Sequence, residues 1–293
     1  MAGKFFVVDL SEFQNGISFS RLKSEGVHGV ILRGGDGAYL DSCFPKFYDE
    51  AKAQGLPVGA YWFSRALTAA AAKEEAERFY TRCLAGRRFA LPIYLDCEAD
   101  SQRALGKRVL TDVIKSWSGA LREKGCLCGV YSTAEWFRSY MLWDELQHLE
   151  RWVAQWSTQA PTISHGMWQF GGETNYLRNK HIAGYVVDQN YMFKDYPTIV
   201  KQNGYNGYKE EIKMYKHLKD IPAWARETID ELIADGALRG KEGEGEDMIL
   251  DLSESDVRLL VIFMREIKGK TAGSGADTST VIAEIIRRLG GKE

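Results

Sequence analysis

The chain has 293 residues with 38 basic and 40 acidic side chains, a formal net charge of -2, 45% hydrophobic residues and 27% charged residues. That composition is globular and excludes wholesale disorder, and the near-neutral balance excludes a polybasic nucleic-acid binder. Eight Trp among 12% aromatics point to a ligand that stacks on rings.

At the N-terminus, Phe5, Phe6, Val7 and Val8 are bracketed by Lys4 and Asp9. Four apolar residues are too few for a signal-peptide core, and no later run approaches a membrane span. The expectation is synthesis in the cytoplasm without a signal peptide, or an export signal already removed. Eight short runs rich in β-branched or aromatic residues follow one another to about residue 195: FFVVDLS, GVILRGG, PVGAYWF, ALPIYLDCE, LCGVYS, RWVAQW, GMWQF and GYVVDQN. Helical patterns such as FPKFYDEAKAQG and TAAAAKEEAERFYTRCL separate the early ones. Strands alternating with helices predict a mostly parallel α/β architecture. Eight strands fit a barrel, and the short later connections make it an incomplete (β/α)8 barrel. No glycine-rich phosphate loop follows any strand, and no cofactor is expected.

The predicted division is a barrel over 1–198, a polar, turn-rich linker over 199–214, and a small all-α module over 215–293. In that module Pro222 opens a helix that Gly236 closes, and Ser253 with Asp256 has the spacing of a capping box before the apolar run VRLLVIFMREI. A Gly/Ser/Thr spacer, TAGSGADTST, leads to a last amphipathic helix, VIAEIIRRLGG. The five cysteines are sparse and odd in number, so no disulfide framework is expected; Cys126 and Cys128 have no second Cys/His pair at zinc spacing, so neither is a metal site.

The acidic residues at strand ends carry the chemistry. In ALPIYLDCEAD, Asp96 and Glu98 share one face of the strand, opposite Leu91, Ile93 and Leu95. In a barrel that face is the interior, near the rim where barrel enzymes carry their active sites. Asp9 ends the first strand and Asp188 the last, and these strands are neighbours in a closed barrel, so four carboxylates converge. Crowded carboxylates raise one another's pKa, so one can stay protonated while another ionises, as glycoside hydrolysis requires.

These residues resemble the glycoside hydrolase family 25 muramidases, the Chalaropsis-type lysozymes common among phage endolysins. Asp9-Leu-Ser11-Glu-Phe-Gln14 is similar to the family's D-x-S-x-x-Q start, Asp96-Cys-Glu98 to its D-x-E strand, Trp152 to Trp156 and Trp168-Gln169 to later strands, and Val187-Asp188-Gln-Asn190 to its closing V-D-x-N. The resemblance spans roughly residues 4–195 with the motifs in order. It implies cleavage of the β-1,4 bond between N-acetylmuramic acid and N-acetylglucosamine in peptidoglycan. Glu98 would be the general acid, Asp96 would tune it, and Asp9 and Asp188 would stabilise positive charge at the anomeric carbon. Both a carboxylate nucleophile and the substrate's own acetamido group stay open as the attacking group. A chitinase-type D-x-x-D-x-D-x-E strand would need acids where Leu91 and Tyr94 stand. The two rivals are a non-catalytic wall-binding protein on the same barrel and another hexosaminidase.

Further candidates lie on inner strands or at their ends. Tyr61, Tyr131, Trp156 and Trp168 are candidates to stack on sugar faces, and Arg33 and Gln155 to hydrogen-bond substrate or a catalytic acid. Farther on, LKDIPAWARETIDELIADGALRG resembles a single S-layer-homology motif, although SESDVR stands where that family carries T-R-A-E and such modules usually come in threes. This implies binding of a wall polymer; the apolar helix alone points instead to packing or pairing with a second copy.

Overall fold

Each of the eight expected strand segments contributes a strand. The computed structural model describes residues 4–209 and 213–271, with side chains to residue 265. It divides into two compact units, Met1–Glu211 and Ile212–Glu293. The expected spacer and the last helix at 281–289 lie outside the described residues.

In the first unit the strands are β1 (Phe5–Leu10), β2 (Gly29–Asp36), a short β3 (Tyr39–Leu40), β4 (Val58–Phe63), β5 (Ile93–Asp96), β6 (Cys128–Thr133), β7 (Glu150–Ala154) and β8 (Met167–Gly171), then the small pair β9 (His181–Ile182) and β10 (Tyr185–Val186), and finally β11 (Asp188–Met192). Parallel pairing runs from β1 through β2, β4, β5, β6 and β7 to β8. β11 closes the ring antiparallel to both β8 and β1. The result is a closed eight-stranded barrel with β3 appended to β2. Helices cover the early crossovers: Phe44–Ala53, Ala69–Phe79 and Gly106–Arg122. Among the described residues no helix joins β7 to β8, so the barrel is incomplete as expected.

The two-residue period of a strand sorts side chains between the barrel interior and the helix-covered outside. Outside, Phe6, Val8, Leu32, Trp62, Leu95 and Phe170 pack under the helices with Phe79 and Trp117. Inside, Val7, Ile31, Tyr94, Tyr131, Trp152, Met167 and Met192 form a separate cluster. Trp152 is its centre, with the rings of Tyr131, Tyr94 and Tyr61 edge-on at 4.6, 5.1 and 5.9 Å between centroids. Gly129 makes room for this plug: a Cβ there would collide with the ring of Tyr94. Leu91, expected on the outer face with Ile93 and Leu95, packs inside, because it precedes the strand and escapes its alternation.

Two expectations about organisation change. The linker predicted over 199–214 begins inside the first unit. The helix Tyr196–Gln202 buries Tyr196 and Val200, and Asn206 is buried with its side chain accepting from Leu127 N (2.8 Å) and donating to Leu91 O (2.9 Å). These polar residues are a plug for backbone groups at the N-terminal end of the barrel, which is why they mimic a linker in composition. The second unit is not all-α. β12 (Met214–His217) pairs antiparallel with β13 (Ile249–Ser253), and helices Ala223–Ala234 and Glu254–Thr271 pack with them. The second helix buries Val257, Leu260, Val261 and Met264 on one face, while Leu259 and Ile262 are exposed. Its capping box forms as expected: Asp256 N donates to Ser253 Oγ (3.1 Å), and Ser253 N donates to Asp256 Oδ2 (2.9 Å). Among the described residues no helix is long and apolar enough to cross a membrane.

Candidate active site

The four predicted acids meet at the C-terminal rim of the parallel strands. Asp9 lies near the end of β1, Asp96 ends β5, and Glu98 follows it by two. Asp188 arrives by a different route from the one predicted: it does not end a strand but begins β11. Because β11 runs antiparallel, its first residue lies on the rim where the parallel strands finish, directly opposite Asp9.

Below the acids lies the aromatic plug, so their carboxylates are poorly solvated from beneath. Burial pushes Asp9 up to about 6, against the lowering effect of hydrogen bonds from Asn190 and Gln169. Burial, then the charges of Asp9, Glu98 and Glu173, push Asp188 up to about 8. Asp96 is held well above the usual carboxylate range by burial, then by Glu98 and Asp9; its Oδ1 has no hydrogen-bond partner among the described residues. Glu98, only partly buried, is raised by burial and then by Asp9. Desolvation dominates in every case, and mutual repulsion adds to it. Protons are therefore retained in this cluster near neutrality, and Asp9 is the group best equipped to give one up.

Two carboxamides make Asp9 different. Asn190 Nδ2 donates to Asp9 Oδ2 at 2.8 Å and Gln169 Nε2 donates to the same oxygen at 3.2 Å. Each amide is oriented by an indole: Trp152 Nε1 donates to Asn190 Oδ1 (2.7 Å) and Trp156 Nε1 donates to Gln169 Oε1 (2.9 Å). Tyr131 Oη also donates to Gln169 Oε1 at 2.9 Å. An indole N–H is only a donor, so the atom it faces must be the amide oxygen, and the NH2 must face Asp9. Asp9 Oδ2 is thereby an acceptor in either protonation state.

The remaining candidates separate. Tyr61 stands among the acids, its hydroxyl raised well above its usual range by burial and then by the charges of Asp9 and Asp96. Tyr131 reaches Asp9 through Gln169, as above. Trp156 is 43% exposed at the rim. Trp168 is not in the cleft: it is buried on the outer face with Phe170 and Tyr191, its Nε1 bound to Gln155 O. Gln169 faces inward, and its strand neighbour must then face outward. Arg33 touches none of the four acids; it donates to Asp41 (2.8 Å) and Glu12 (3.0 Å), in an ion-pair cluster beside the rim. The Gln155 side chain donates to Gln159 O, bracing its own loop.

Sequence reasoning left out Gln169, Asn190, Gly172 and Trp152. The first two were legible by parity, because Asn190 is two residues from Asp188 and Gln169 shares the inward set of β8 with Met167 and Gly171. Gly172 lies so close to Asp188 that a Cβ there would collide with Oδ1. Two surface cavities, of about 360 and 250 Å3, open at the opposite end of the barrel. The first is lined by Glu150 and Gly166 and the second by Phe89 and Cys126, at or before the starts of their strands; that face of a barrel serves stability rather than chemistry.

The model for glycosyl hydrolases family 25 matches residues 8–178. The chain is 27% identical over 159 residues to the autolytic lysozyme of Clostridium acetobutylicum, covering 53% of this chain and 46% of that protein. It is 28% identical over 175 residues to lysozyme M1 of Streptomyces globisporus, covering 56% and 59% respectively. The chain thus spans about half the length of these relatives. Among solved structures, the CTP1L endolysin superposes with a TM-score of 0.59 at 23% identity, over 67% of this chain and 69% of that one. The catalytic domain of endolysin ply40 from bacteriophage P40 of Listeria monocytogenes gives 0.55 at 22% identity, over 68% and 97%. These likenesses establish a shared fold.

Proposed function

The chain belongs to glycosyl hydrolases family 25, and from that premise we propose that it is an endolysin-type lysozyme, an N-acetylmuramidase that hydrolyses the β-1,4 bond between N-acetylmuramic acid and N-acetylglucosamine in peptidoglycan. The observation that carries the reading is the unequal treatment of four converging acids. Asp9 receives two N–H donors on one oxygen, whereas Asp96 Oδ1 receives none.

In this proposal Glu98, the acid with partial access to solvent, protonates the leaving glycosidic oxygen. Its proton is retained because burial and the charge of Asp9 disfavour a second anion. Asp96, deeper and with no partner on Oδ1, stays neutral beside Glu98 and holds its position. Asp9 is the anion that faces developing positive charge at the anomeric carbon. Asp188, pushed up to about 8, acts as a neutral hydrogen-bonding partner at neutral pH rather than a second anion. Trp156 and Tyr61 are the proposed sugar contacts. For the second unit we propose attachment to the wall or self-association; the exposed Trp224, Leu259 and Ile262 support a surface role.

Purified protein added to bacterial walls, followed by turbidity and muropeptide analysis, tests the reaction. New reducing-end muramic acid supports it. Reducing-end glucosamine would mean a hexosaminidase of another specificity, and saturable binding without new reducing ends would mean a binding protein.

A further inference from the structure

Among the rim aromatics, Trp156 has two relationships that pull in different directions. Nearly half its surface is open to solvent, yet its one polar atom is committed inward, to Gln169. We propose that Trp156 is a positioning residue: its indole N–H locks the Gln169 carboxamide so that the amide NH2 faces Asp9, and a substrate resting on the exposed ring rests on that lock.

The chemistry of the three side chains on Gln169 carries the argument. An amide can turn by 180° and exchange its oxygen and nitrogen with little steric change. Tyr131 cannot forbid the turn, because its hydroxyl accepts as readily as it donates. Asp9 cannot forbid it when protonated, because its carboxyl then also offers a donor. Trp156 can, since its N–H has no acceptor function and a turned amide would set N–H against N–H. Asn190 has its own indole lock in Trp152, but that lock is fully buried in the barrel plug, beyond the reach of any ligand. Trp156 is therefore the point at which the orientation around Asp9 meets the surface. Its ring also approaches Gly172, the residue that abuts Asp188, so the same indole borders both members of the Asp9–Asp188 pair.

The titratable groups facing Asp9 come from strands around the barrel. They are Tyr61 on β4, Asp96 and Glu98 at the end of β5, Tyr131 on β6 and Asp188 on β11. On β2, Arg33 is occupied by Asp41 and Glu12. No cation of β2 is thus bound to Asp9, and its ionised form rests on the two amides. Losing one of them should move its titration upward.

The test is a carbon-13 NMR titration of the Asp carboxyl groups in the intact chain, with the Asp9 signal identified by its loss in Asp9→Asn. Trp156→Phe keeps a ring and removes only the N–H; the amide spectrum verifies the fold. The expected result is a rise of the Asp9 midpoint by about one pH unit, on the scale of a lost hydrogen bond to the charged form. In a Gln169→Met background, Trp156→Phe should add nothing further, because the two act in series. An unchanged midpoint in Trp156→Phe, or an equal further rise in the Gln169→Met background, overturns the proposal; should Gln169→Met not fold, the Trp156→Phe midpoint decides alone. The link to substrate rests on the proposed muramidase reading: there, Trp156→Phe should move the acid limb of kcat upward by the same amount, with a smaller effect on KM. If the wild type does not cleave peptidoglycan, that reading falls, while the titration still decides the lock.

Discussion

Asp9 and Asp188 are register partners across the antiparallel pair that closes the barrel. Directly opposed residues in such a pair bring their Cβ atoms within about 5 Å, where like charges destabilise a sheet. The pair is tolerable because its members do not share the charge equally. Asp9 has two amide donors and is pushed up only to about 6, whereas Asp188 goes to about 8.

A bell-shaped pH profile follows for the proposed hydrolysis. Activity should fall below about pH 6 as Asp9 takes up a proton, and above about pH 8 as Asp188 surrenders its own. These midpoints belong to the coupled cluster as a whole. The rate of muropeptide release from pH 4 to 10 checks this; a flat profile across pH 6 would remove Asp9 from the charged role.

Stability should show the opposite face of the same cluster. The Asp188 carboxyl goes from an ordinary 3.8 when unfolded to about 8 when folded. The folded state therefore holds the proton more tightly, and the stability this contributes is present below about pH 4 and is lost as pH rises through 8. Asp188→Asn removes the penalty. Its Tm should match the wild type at pH 4 and exceed it at pH 9, by the equivalent of a few kcal/mol, since each pH unit separating the folded and unfolded midpoints is worth roughly 1.4 kcal/mol. Thermal unfolding at both pH values measures the difference.

Glu98→Gln should retain the fold and lose about 100- to 10,000-fold in rate, the range for removal of a general acid. Retention of wild-type rate with an unchanged circular dichroism spectrum would transfer the acid role to another carboxyl.

Gly172→Ala is the sharper test of geometry. The added methyl would collide with Asp188 Oδ1 and crowd the edge of Trp156, so one or both must move. A displacement near 1 Å at a reacting site can cost about 100-fold. The expected outcome is a large loss of kcat with a modest loss of Tm, measured on the same preparation.

Away from the chemistry, Asp41 accepts from Arg33 and from the backbone N–H groups of Glu12 and Cys43, and its side chain is 1% exposed. Asp41→Ala leaves Arg33 with Glu12 alone and takes the acceptor from two backbone N–H groups, and should cost about 1–3 kcal/mol, the usual cost of leaving a buried donor unsatisfied. Urea denaturation would reveal it.

The period-two pattern made the barrel legible because inward and outward faces carry different chemistry. Asp96 and Glu98 fall on one parity and Ile93 and Leu95 on the other, and this is how they fold. The same rule applied to Trp168-Gln169 sends the amide inward and the tryptophan outward, against the expectation of a sugar platform at Trp168. The abundance of tryptophan likewise serves packing more than ligand stacking. Trp62, Trp117, Trp136, Trp152 and Trp168 are buried, and only Trp156 presents a large exposed face at the acid cluster. Strand direction was not legible, because GYVVD looks alike whether its acid ends a parallel strand or, after a break at Val187, begins an antiparallel one. The motif residue Gln14 proved structural: its amide oxygen accepts from Ser11 N at 3.0 Å and its NH2 donates to Val186 O at 3.3 Å, tying the exit of β1 to the entry of β11.

The antiparallel closure also sets a clock. Asp96 and Glu98 exist as soon as the middle of the barrel has been synthesised, but Asn190, the stronger of the two donors to Asp9, and Asp188 itself belong to the last barrel strand to leave the ribosome. A nascent chain that stops before Asp188 carries Asp96 and Glu98 but neither Asp188 nor the Asn190 donor to Asp9. The proposed hydrolysis therefore waits on the final strand, because the acid cluster is complete only once that strand pairs with the first.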